Sequence, residues 1–95
     1  MSANTRLAGN FTSTGTSSEF VVSGRDFVLK IGGTFSATVA LEIFNTQANA
    51  WQTVESYLVP SVKAVESVAR GGRFRLNCSA YTSGTVSYEL EAMND

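Results

Sequence analysis

Along most of this chain apolar residues alternate with polar ones at a period of two, the pattern of strands with one dry face. The last third shows it best. Phe74, Leu76, Cys78 and Ala80 alternate with Arg73, Arg75, Asn77 and Ser79, and Val86, Tyr88 and Leu90 alternate with Thr85, Ser87, Glu89 and Glu91. Thr82-Ser83-Gly84 between these runs reads as a three-residue loop, closed by Gly84 in the left-handed conformation. The pattern predicts a hairpin with Ala80 opposite Val86, Cys78 opposite Tyr88 and Leu76 opposite Leu90 on the buried face. On the wet face Asn77 then meets Glu89, and Arg75 meets Glu91.

Further upstream the same period recurs. Glu19–Val22 reads as a short strand and Ser23-Gly24-Arg25-Asp26 as its turn. Phe27, Leu29 and Ile31 alternate with Val28 and Lys30 up to the Gly32-Gly33 break. Phe35 to Phe44 is the longest strand, with an outer face of small and hydroxylated residues apart from Phe44. Asn45–Ala50 is a polar loop, and Trp51–Leu58 returns, placing an indole where it closes the hairpin. Pro60–Arg70 has helix-like spacing at Val62, Val65, Val68 and Ala69. Its valine content and the Gly71-Gly72 break favour a strand with an irregularity.

Turn signals every eight to twelve residues between seven or eight short strands predict a single-domain, all-β antiparallel β-sandwich or flattened barrel. The 95 residues suffice for one two-layer core and no second domain. Residues 19–95 form that domain. Residues 1–18, rich in Ser, Thr, Asn and Gly, read as an extended arm, or as a weak first strand around Leu7–Thr12, with Leu7 and Phe11 as anchors for a neighbouring subunit.

Seven basic and eight acidic side chains leave a net charge of −1, which gives no electrostatic footprint for nucleic acid or an anionic membrane. No apolar run spans a bilayer, and the first ten residues lack a hydrophobic signal region, so export is not expected. Histidine is absent, which removes the usual general base and the commonest metal ligand. Cys78, the only cysteine, falls on a dry face and reads as an inert thiol. Glu89 and Glu91 share one face about 7 Å apart, a spacing that could serve glycoside hydrolysis, but cross-strand charge pairing is the plainer account. No enzyme activity, metal or cofactor is expected. Candidate contact residues are the outward aromatics Phe44 and Tyr81, the anchors Leu7 and Phe11, and Arg70 and Arg73 around Gly71-Gly72.

The order of a long strand ending at Ile43-Phe44, a polar loop, Trp51, and then Phe74-Arg75-Leu76 with Tyr81-Thr82-Ser83-Gly84-Thr85 resembles small β-sandwich virion proteins of tailed bacteriophages. Their middle hairpin carries an Asp-Gly-Gly loop before its tryptophan, which Asn45–Ala50 replaces here. The resemblance covers residues 27–92. It implies a capsid decoration, or cement, protein that is assembled in the bacterial cytoplasm and lies on the capsid surface. Its partner would be the major capsid protein, and it would form a homo-oligomer, with a trimer favoured. A neck, tail or fibre-associated subunit is the alternative within the particle, and a carbohydrate-binding module the alternative outside that class.

Overall fold

A computed structural model describes residues 6–23, 26–65 and 70–92. Among them are nine strands and no helix: β1 (Arg6–Phe11), β2 (Gly15–Thr16), β3 (Phe20–Ser23), β4 (Phe27–Gly32), β5 (Phe35–Asn45), β6 (Ala50–Tyr57), β7 (Ser61–Val65), β8 (Arg70–Gly84) and β9 (Val86–Ala92). They form two antiparallel sheets. The first has the order β1-β9-β4-β7; the second has the order β2-β8-β5-β6, with β3 also paired to β8. The all-β sandwich expected from the alternation is what the chain adopts.

The inward phase of each strand builds the core. Leu29 and Ile31 of β4, with Val86 and Leu90 of β9, face Val39 and Leu41 of β5 and Leu76 and Cys78 of β8 across the two layers. Phe27 of the first sheet inserts between two rings of the second, 5.3 Å from Phe20 and 4.9 Å from Phe74, both edge-on. Edge-on packing sets the positive rim of one ring against the negative face of the next. Cys78 is fully buried here, and burial pushes its thiol above the ordinary value.

The expected hairpin over residues 73–91 does not form. β8 pairs with β5 in the second sheet and β9 with β1 and β4 in the first, so Thr85 is a corner between layers. Alternation marks a dry face and names no partner. Two strands that face one another across a sandwich alternate in the same way as two strands lying side by side. Gly84 does take the left-handed conformation expected of it, at φ 89°. Beside it, Gly33 carries β4 into β5 at φ 97°. The Thr85 amide donates to the Thr34 carbonyl at 2.9 Å, so the two crossovers clasp each other.

β8 departs from its sequence phase in a second way. Its register against β5 shifts twice, between Ser36 and Ala37 and between Thr38 and Val39. An extra residue in one strand exchanges inward for outward beyond it. Ala80, expected inside, is therefore exposed, and Tyr81, expected on the wet face, packs against the core with its hydroxyl donating to the Gly84 carbonyl at 2.6 Å.

Part of the segment read as an arm is a sheet strand. Residues 6–11 pair with β9 along their length, Phe11 is buried against Tyr88, and Leu7 packs on the core. Ser17 then ties the following loop to β8: its amide donates to the Leu76 carbonyl at 2.8 Å, and its hydroxyl accepts from the Leu76 amide at 2.9 Å. The strand expected within Pro60–Arg70 is β7; residues 66–69 of that segment lie outside the described residues, as do residues 24 and 25 of the turn after β3.

Candidate functional site

The outer face of the second sheet carries the most organised group of side chains among the described residues. It is built from adjacent strands in register. Phe44 on β5 lies opposite Trp51 on β6, Glu42 on β5 opposite Arg75 on β8, and Arg73 on β8 opposite Val21 on β3. The turn that joins β5 to β6 is held by Asn45, whose side-chain oxygen accepts from the amides of Gln47 and Ala48 at 3.0 Å each. Asn49 takes φ 54° within it, a conformation that asparagine tolerates. That short turn brings Phe44 and Trp51 together, edge-on at 5.3 Å.

Two guanidinium groups lie against this aromatic pair. Arg73 sits 4.2 Å from the Phe44 ring centre, and Arg75 sits 4.3 Å from that of Trp51. Each is held from behind by a carboxylate. Glu19 takes Arg73 in a two-pronged contact, Nε to Oε1 at 3.0 Å and Nη2 to Oε2 at 2.9 Å. Glu42 accepts from Arg75 Nε at 2.7 Å and from Asn77 Nδ2 at 3.1 Å. Only 8% of Glu42 is exposed, and a carboxylate that enclosed needs both donors. The Arg73 hydrogen bonds hold the Glu19 carboxyl below the usual carboxylate range, and the same contact raises Arg73.

A guanidinium stacked on a ring and locked by a carboxylate has little rotamer freedom left to lose when a partner arrives. Arg and Trp held in that state are the residue types that dominate the centres of protein interfaces. No set of three His, Cys, Asp or Glu among the described residues could hold a metal ion.

Of the six contact residues expected from the sequence, the structure brings together Phe44 and Arg73. Leu7, Phe11 and Tyr81 turn toward the core, where they support the fold. Arg70 opens β8, and its side chain lies outside the described residues. Glu42 and Glu19 were missed as site residues, and Trp51 and Arg75 were not counted among the contact residues. Their signal was present as strand phase, since Phe44 and Glu42 share one face, as do Arg73 and Arg75. The adjacency of β5 and β8 was the missing fact.

On the opposite side of the molecule, the first sheet carries a shallow open depression lined by Arg6, Asn10, Lys30, Ser87 and Glu89. Glu89 accepts from Arg6 and from Lys30, and Lys30 also reaches Glu91 at 3.5 Å. Hydrogen bonds from Arg6 and then Lys30 hold Glu89 below the usual range. A carboxyl lowered in the folded chain favours folding fully above its unfolded value, near 4.5, and loses that contribution as pH falls through the folded value. The urea midpoint of the chain should therefore fall as pH drops below that range. The double variant Glu19→Gln/Glu89→Gln should show a shallower acid loss; an unchanged acid profile would remove both pairs from the account.

No family model matches the sequence, and no curated protein matches it. Solved structures do resemble the fold. The Drosophila melanogaster CENP-C cupin domain superposes with a TM-score of 0.56 at 9% identity, over 93% of this chain and 59% of that one. Drosophila melanogaster CENP-C bound to CAL1 gives 0.57 at 9% identity, over 93% of this chain and 63% of that one. This chain thus spans about three fifths of the length of the solved chains it matches. The likeness is one of fold alone, a two-sheet antiparallel β-sandwich. It also corrects the capsid-decoration reading and its neck, tail and fibre variant, because these neighbours belong to a centromere protein and not to a phage particle. The physical reason lies at Thr85: the segment taken as a virion-type terminal hairpin is a crossover between sheets.

Proposed function

We propose that this chain is a non-catalytic binding module that docks a partner protein on the outer face of its second sheet. The observation that carries this is the pair of arginines, Arg73 and Arg75, set over the Phe44 and Trp51 rings and bonded by Glu19 and Glu42. Six side chains from four neighbouring segments cooperate in that arrangement. The exposed Arg73–Glu19 half of it contributes little to stability, so folding alone does not call for that half. A cupin-type neighbour seen with a protein bound, CENP-C with CAL1, lends the fold a precedent for this use. The near-neutral chain suits a protein surface better than a polyanion.

Tagged wild-type chain and the variants Trp51→Ala and Arg73→Glu should be used as bait in extract of the source cells, with captured proteins compared by quantitative mass spectrometry. The expected outcome is a protein held by the wild type and reduced roughly tenfold or more with either variant, as for loss of an interface anchor. Far-ultraviolet circular dichroism should be unchanged, because both side chains lie outside the core. Equal capture by all three baits would remove this face as the docking surface.

A further inference from the structure

The free sides of the two sheets meet along β6 and β7, and this seam holds the most exposed large aliphatic side chains of the described residues. Leu58 is 64% exposed, Val59 63%, Val62 76% and Val54 51%. β6 and β7 close the order of their respective sheets, and Leu58-Val59-Pro60 links them. Of the eight residues of β6 only Tyr57 is buried. The two strands carry one acid and one base between them, Glu55 and Lys63, which bridge the seam at 3.6 Å.

We propose that a second copy of this chain covers this seam, the two copies being related by a two-fold axis with their β6 strands antiparallel. A two-fold interface must be complementary to itself. One carboxylate and one ammonium on neighbouring strands meet that condition, since Glu55 of each copy can turn to Lys63 of the second copy with no charge left unpaired. The exposed Leu58-Val59 link and the edge positions Val54 and Val62 would lose contact with water in such a pairing.

The dimensions agree. An eight-residue strand is ~26 Å long, and the molecule is 20 Å thick. Such a face, counted on both copies, comes to on the order of 1,000 Å², the lower end of specific interfaces, so the dimer should be a weak one. A bare edge strand carrying valine otherwise invites open-ended strand pairing. A closed two-fold contact covers it once and stops. Two such copies would display their arginine–aromatic faces together, a consequence that alone rests on the docking role proposed above.

Sedimentation equilibrium of the full chain from low to high micromolar concentration tests this. The mass should rise from 10.1 kDa toward twice that value. Val54→Lys/Val62→Lys, both changes at exposed positions, should remain a monomer throughout. Glu55→Lys should weaken association roughly tenfold through like-charge contact, and adding Lys63→Glu should restore it. Should the double lysine variant fail to give a native circular dichroism spectrum, the charge-swap pair decides alone. A monomer at every concentration, a trimer or larger species, or a dimer indifferent to these changes would overturn the proposal. None of these outcomes depends on whether a partner binds the arginine–aromatic face.

Discussion

Gly84→Ala should cost this chain about 3 kcal/mol or more, combining left-handed backbone strain with a clash that has nowhere to relax. At φ 89° an alanine is already disfavoured, and its Cβ would lie 2.1 Å from the Thr34 carbonyl oxygen and 2.7 Å from the Phe35 Cα. Both are backbone atoms. Thr34 cannot retreat freely, because its carbonyl accepts from Thr85 and Phe35 pairs with Gly84 at the start of β5. The loss falls on the point where two crossovers join the sheets, so it should appear in global unfolding. Gly32→Ala, one residue before the matching crossover, meets no atom within 4 Å and should be neutral or slightly stabilising. Urea denaturation of the two variants beside wild type makes the comparison. Equal midpoints for Gly84→Ala and Gly32→Ala would mean that the clasp does not hold the layers together.

That corner also marks where the sequence stopped being informative. The dry positions Leu76, Cys78, Val86 and Leu90 were legible, and all four are buried. Their partners were not, because period two is the same whether a neighbour lies beside a strand or across the core. Arg75 was therefore assigned to Glu91 and belongs to Glu42, while Glu91 answers Lys30. Tyr81 was misplaced by a bulge, which no alternation count reveals because it adds one residue without a change of composition. The β5–β6 turn was legible because Asn45 and Asn49 carry local turn chemistry, and with it came the Phe44–Trp51 pair. Two of the six side chains of the candidate site, Phe44 and Trp51, were thus brought together by short-range rules. The arginines joined it through strand order, which is a property of the whole chain.

Phe27→Ala should be the most damaging single truncation in the core, at about 3–5 kcal/mol from lost transfer energy and the cavity left behind. Phe27 is fully buried, and its ring is the one from the first sheet that enters between Phe20 and Phe74 of the second. Removing it leaves both neighbouring rings without their edge-on partner. The same residue aligns with Val65 of β7 and Ala92 of β9, so the surrounding strands are pinned and cannot close the gap easily. Against a typical total of about 5–15 kcal/mol, the variant should be marginal. With a urea dependence of about 1–3 kcal/mol/M, its midpoint should fall by at least about 1 M at an unchanged slope. Phe44→Ala, an aromatic of the same size on the outer face, should cost far less, because water already reaches that ring and little cavity forms. The contrast separates the two roles of phenylalanine here: Phe27 joins the layers, and Phe44 supports the docking face. Equal losses at the two positions would place Phe44 in the stabilising core and weaken the case that its pairing with Arg73 serves a partner.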